Sequence, residues 1–185
     1  TEASPYLIEN EAQLKKVNEF EGTSFKQIVD IEIAANSFET ILLNGNNYDG
    51  GENSLTLGEY SGSKTVLVLF NAQQNVKISN LTVYSQPNCL FSLVEQMTEI
   101  KSLTLSNITT NAIGNQMVYI NQSNASPFIN GASYFAAERP GKVYTTFENC
   151  TNNVDIQNEE ACTGVFWGSG PYYGINVKSY ATTMA

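Results

Sequence analysis

Three stretches of the chain repeat one local pattern: Ile78-Ser79-Asn80-Leu81, Leu105-Ser106-Asn107-Ile108 and Phe147-Glu148-Asn149-Cys150. In each, two apolar residues flank a polar pair that ends in Asn. Along a straight strand, side chains alternate sides, so residues three apart point to opposite faces. The outer residues reach one common interior only if the chain bends at the polar pair, and Asn tolerates the left-handed backbone such a bend needs. The motif therefore reads as a corner. If successive coils stack, Asn lies above Asn, and the side-chain amides are placed to bond along the axis as in other cross-strand ladders.

What lies between the corners supports stacking. From "FKQIVDIEIA" onward the apolar period is two, in short pairs: Ile31 and Ile33, Leu55 and Leu57, Val66 and Val68, Val76 and Ile78, Leu81 and Val83, Leu103 and Leu105, Val118 and Ile120. The intervals "NGNNYDGGENS", "GEYSGS", "NAQQN" and "YSQPN" are turn-rich, so the pattern predicts strands of three to five residues separated by turns. Aligning "ISNLTV" with "IKSLTL" gives a repeat of about 22 residues, and the pairs Leu69-Phe70 and Leu90-Phe91 one of about 21, while "VKISNLTV" against "LTLSNITT" gives about 27. Each is a solenoid period, and the register between them stays open. One helix is expected at about residues 10–20, where Asn10 and Gln13 form a capping box ahead of Leu14 and Val17. Residues 121–142 lack alternation and read as a long excursion; "VYTTFENCT" and the segment after it resume the pattern.

The fold class that follows is all-β, a right-handed parallel β-helix with a short N-terminal capping helix. The whole chain, 1–185, is one domain, with residues 1–22 as its helical cap. The missing initiator Met and the ending "SYATTMA" suggest a processed chain or a piece of a longer one. "INVKSYATTMA" supplies no cap, so that end is expected to be completed by another copy, another protein or further residues of the same polypeptide, with the odd thiol Cys89 a lesser candidate for a lateral crosslink.

Composition narrows the functions. The chain is 42% hydrophobic and 15% charged, has a formal net charge of -9, one Arg and no His. A phosphate backbone would be repelled, so nucleic acid is the least expected partner. No apolar run reaches the roughly 18 residues of a membrane span. Catalytic triads and imidazole-ligated zinc sites lose their histidine. Asp30, Asp49 and Asp155 are the only Asp residues and are far apart in sequence, and "DGGEN" around Asp49 and Glu52 reads as a turn before it reads as a Ca²⁺ loop. Arg139 beside Glu138 reads as a loop ion pair. No catalytic, cofactor or metal residue is assigned.

Sequons fall at Asn80, Asn107, Asn121 and Asn149, with a fifth at Asn124 weakened by Pro127; they favour a glycoprotein outside the cell. At the three corners the competing reading is an unmodified ladder. Cys150 and Cys162 bracket a loop that a disulfide would close, against the alternative of small buried apolar residues. Phe166, Trp167, Tyr172 and Tyr173 crowd between glycines in "GVFWGSGPYYG", a candidate stacking platform for sugar rings that core packing or a chain contact explains equally.

The order of elements, "YLIENEAQLKKV", "FKQIVDIEIA", "ILLNGNNYDG" and "LVLFNAQQNVKISNLTV", over about residues 5–110, resembles the GLUG-motif repeats of right-handed parallel β-helices found in large surface adhesins. The likeness rests on Asp30-Ile31-Glu32-Ile33, the turn from Gly45 to Gly50, Leu69-Phe70 and "ISNLT"; Leu-Val-Leu-Phe stands where that family usually has a Gly before Leu-Phe. The resemblance implies a non-enzymatic structural or adhesive solenoid at the cell surface, in a filament or larger assembly with itself or other surface proteins. A carbohydrate-binding or polysaccharide-degrading β-helix is the alternative.

Overall fold

A computed structural model of the chain describes residues 4–34, 36, 38–62, 64–95, 100–132, 144–159, 167–169, 173–180 and 183–184. The alternating pairs become rungs of a parallel β-solenoid, successive rungs hydrogen-bonded to one another.

The first stack consists of Tyr6–Ile8, Ser24–Gln27, residues 47–49, 74–79 and 100–106, Tyr144–Glu148 and Tyr173–Ile175, all paired in parallel. Past the corner, Ile31–Ile33, residues 53–57, 81–85 and 108–112, Thr151–Asn152 and Lys178–Ser179 form the second stack. The third is built from Ile41–Asn44, residues 65–73, Cys89–Glu95, Ile129–Ala132 and Trp167–Ser169. Among the described residues, a separate three-stranded sheet, Val118–Ile120, Ile156–Asn158 and Thr183–Met184, belongs to the later coils.

The strands are longer than the sequence suggests. Thr65–Ser85 runs 21 residues without interruption, passing from the third stack through the first to the second. It turns at Gln74 and Asn80, whose φ values are 63° and 53°. At Asn80 the register to the next coil is the same on both sides of the corner, Ser79 opposite Ser106 and Leu81 opposite Ile108, whereas at Gln74 the pairing slips by one residue; the strand runs on through both. The register between the central coils is 27 residues, with Ile78 opposite Leu105 and Asn80 bonded to Asn107. The 22-residue alignment fails, and the Leu-Phe repeat is not structural either, since Leu67 pairs with Phe91 and Phe70 with Val94.

Inside the coils, Ile78, Leu81, Leu103, Leu105, Ile108 and Phe147 belong to one buried cluster, as the corner geometry requires. Burying each is worth about 1.5–3 kcal/mol. Phe25 and Tyr48 belong to the same inward column, and the Tyr48 hydroxyl donates to buried Gln27 Oε1 at 2.9 Å. Gln27 in turn donates to the carbonyls of Val29 and Ser54. A second cluster, Leu90, Ala112, Val118, Ile120, Ala125, Val154 and Ile156, lies where the extra sheet packs. It explains why Cys89–Glu95 is buried along nearly all its length.

The N-terminal end is a mixture of strand and helix. Tyr6–Ile8 forms the first rung; Glu11–Lys15 is α-helical and Lys16–Glu19 continues as a 3₁₀ turn, shorter than the span expected. Asn10 Oδ1 accepts from the Gln13 amide at 2.9 Å, and Gln13 Oε1 accepts from the Glu9 amide at 2.6 Å. Leu14 and Val17 are fully buried. The helical segment covers the edges of the next coil: Glu11 Oε2 accepts from the Ala34 amide, and Asn18 Oδ1 from the Leu42 amide. Of the expected excursion at 121–142, Ile129–Ala132 is a strand of the third stack, and 133–143 lie outside the described residues.

Candidate functional site: an asparagine ladder

The recurring corner builds the most regular feature of the surface. Asn80, Asn107, Asn149 and Asn176 are left-handed, with φ of 53°, 55°, 52° and 52°. Each turns its side chain along the axis. Asn80 Nδ2 donates to Asp49 Oδ1 at 2.9 Å, Asn107 Nδ2 to Asn80 Oδ1 at 2.8 Å, Asn149 Nδ2 to Asn107 Oδ1 at 3.1 Å, and Asn176 Nδ2 to Asn149 Oδ1 at 2.8 Å. The sequence pattern located the first three Asn residues but not Asp49 or Asn176. The signal for Asn176 was there, in Gly174-Ile175-Asn176-Val177, but glycine at the inward position hid it.

Asp49 starts the ladder. Its Oδ1 also accepts the Gly51 amide at 3.0 Å, closing the turn that Gly51 and Glu52 complete with φ of 60° and 66°. This engagement favours the turn reading of "DGGEN" over a Ca²⁺ loop, and no group of metal-ligating side chains occurs among the described residues. On the neighbouring bend, Gly22, Gly45 and Gln74 form a second left-handed column, with φ of 62°, 68° and 63°. The Gly22 and Gly45 amides donate to the carbonyls of Asn44 and Gln73 in the following coils.

Beside the ladder, hydroxyls stand in register. Ser54, Thr82, Thr109 and Thr151 occupy one outward row of the second stack, half-buried against one another. Asn153 Nδ2 donates to Asn111 Oδ1 at 2.9 Å in the adjacent row. The face that results is polar, and the amides of Asn80, Asn107, Asn149, Asn153 and Asn176 are bonded along the axis. It offers repeated hydroxyls and carbonyls for lateral contact.

The other expected sites are distributed as follows. Asn121 is exposed and stands outside the ladder, whereas Asn107 and Asn149 are exposed within it and Asn80 is half-buried. A glycan on Nδ2 replaces one amide hydrogen, so sugars at the three corners would have to coexist with the axial bond made by that same nitrogen. Asn124 is a half-buried left-handed residue, and the serine of its sequon, Ser126, is fully buried. Cys150 is a buried free thiol whose Sγ is 3.3 Å from the Leu105 carbonyl oxygen; Cys162 lies outside the described residues. Cys89 is wholly buried, which removes it as a lateral crosslink. Burial pushes the Cys89 thiol up to about 12 and that of Cys150 to about 11. Phe166 and Tyr172 fall outside the described residues, as do Arg139 and Glu138, and Trp167 and Tyr173 are described only as strand positions.

A cleft of about 240 Å³ lies between two turns, lined by Asn36, Glu59, Tyr60, Ser61, Gln86 and Asn88. Its polar side chains serve the turns: Asn36 Oδ1 accepts from the Ser61 amide and hydroxyl, Asn88 Nδ2 donates to the Tyr60 and Gly62 carbonyls, and Gln86 Nε2 to Leu57. No helix among the described residues is long and apolar enough to cross a membrane. Comparison of the chain with protein-family models, with curated proteins and with solved structures gives no match.

Proposed function

We propose that the protein is a non-enzymatic structural or adhesive element that works outside the cell as a segment of an elongated assembly. The observation that carries this reading is the continuous axial bonding, in which the Asp49–Asn80–Asn107–Asn149–Asn176 ladder runs beside stacked parallel strands. Every coil is tied to its neighbours by backbone and side chain alike, which suits a stiff rod. The exposed sequon at Asn121 supports an extracellular setting, and the resemblance to GLUG-type adhesin repeats points the same way.

Electron microscopy of native material, together with incubation against a panel of polysaccharides, tests the reading. Elongated particles and intact polymers are expected. Release of new reducing ends or unsaturated sugars would replace it with a polysaccharide-degrading activity.

A further inference from the structure

The inward column of the first stack runs Tyr6, Phe25, Tyr48, Ile78, Leu105, Phe147 and Gly174. Its two ends are complementary. At one, Tyr6 leans on Phe20 and Phe25, with ring centroids 5.2 and 6.1 Å away, yet stays 55% exposed. Leu7 is 53% exposed and Phe20 37%. At the other, the last described inward position is an exposed glycine, which presents backbone and no side chain.

Among the described residues the first rung also has an unpaired edge. The Ile8 carbonyl accepts the Ile28 amide at 3.1 Å, and in a parallel ladder alternate residues bond to opposite sides. Leu7 therefore turns its N–H and C=O away from the solenoid, where they have no partner among the described residues. The helix covers the second and third stacks and leaves this one bare.

We infer that Tyr6–Ile8 of one copy docks in parallel on Tyr173–Ile175 of a second copy, Tyr6 filling the space over Gly174 and continuing the solenoid end to end. Strand register then sets Leu7 against Ile175, with Glu9 just past the end of the first rung and Lys178 just past the Asn176 corner of the last. Lys178 and Glu9 are both exposed, so opposite charges meet beside the new rung. Because the two surfaces differ, the contact is head-to-tail and propagates. This rests on the scaffold reading and names its partner.

Sedimentation of the 185-residue chain over a range of concentrations tests it, with Tyr6→Asp blocking one end and Gly174→Phe the other; circular dichroism establishes that each variant is folded. The native chain should form dimers and larger species, and each variant alone should remain a monomer. An equimolar mixture should stop at the dimer, since each variant keeps one working end. If Tyr6→Asp fails to fold, Gly174→Phe with the native chain still decides: it should cap growing assemblies and shorten them. A native chain that is monomeric at every concentration overturns the inference. So does assembly of a folded blocked variant by itself, which leaves the scaffold reading standing with a different contact surface; polysaccharide products would remove the scaffold reading instead.

Discussion

Asn107 holds a left-handed backbone and also passes a hydrogen bond from one coil to the next. Two substitutions separate these roles. Asn107→Gly keeps the corner and loses two axial hydrogen bonds, costing about 1–2 kcal/mol; Asn107→Ala adds the strain of an alanine in the left-handed region, about 1–2 kcal/mol more. Urea unfolding of the two variants should rank them in that order, and equal midpoints would show that the backbone angle carries no cost. The two buried thiols give a second prediction at this scale. Their folded values, about 12 and 11, stand above an ordinary 9.0. A group that is harder to ionise in the folded chain leaves stability unaffected below its unfolded value. As pH rises past 9 toward 11 and 12 the unfolded chain gains by ionising, and stability falls. Cys89 and Cys150 should resist alkylation at pH 8 in the native protein and react in urea, which mass mapping of the two peptides reads directly.

Between one coil and the next, the bends decide what a rung will tolerate. A Cβ on Gly50 would stand 2.4 Å from the Asn80 carbonyl oxygen and 2.8 Å from Leu81 Cα, both backbone. Neither atom can move without shifting the adjacent rung, so Gly50→Ala should cost about 3 kcal/mol by overpacking, visible as a lowered urea midpoint. This is also where the sequence was hardest to read. Alternation exposed the strands, and the need to return Ile78 and Leu81 to one interior exposed the corners. The lengths were misjudged because a left-handed residue looks like a break in sequence, whereas Gln74 and Asn80 bend a strand that continues. The 27-residue register could not be told from the shorter alignments because Leu69-Phe70 and Leu90-Phe91 are similar words at different positions along their rungs. The extra sheet at Val118–Ile120 was visible only as one more apolar pair, since nothing local distinguishes a fourth side from a third. The ladder was legible at Asn80, Asn107 and Asn149, where apolar neighbours framed it, and illegible at Asp49, where two residues inserted before Asn53 displaced the frame.

For the molecule as a whole, a solenoid has no centre, and each coil depends on the two beside it. Leu103 is 1% exposed within the principal cluster and pairs across two interfaces, with Val76 on one side and Thr145 on the other. Leu103→Asp places an unpaired carboxylate there, a cost large enough to consume the stability of an ordinary domain. Circular dichroism should show loss of strand structure; a folded variant with an unchanged spectrum would contradict the stacked core.

Asp49 has a consequence that reaches every later corner. A carboxylate only accepts, so the amide above it must point its nitrogen down, and the oxygen of Asn80 is thereby left facing up. Asn107 meets that oxygen and is constrained in the same sense, then Asn149, then Asn176. One anion at the foot thus sets the orientation of four side chains, the last of them far from it along the axis. With Asp49→Asn, the foot of the column could present a donor as well as an acceptor, and only the Gly51 amide would still favour the original sense.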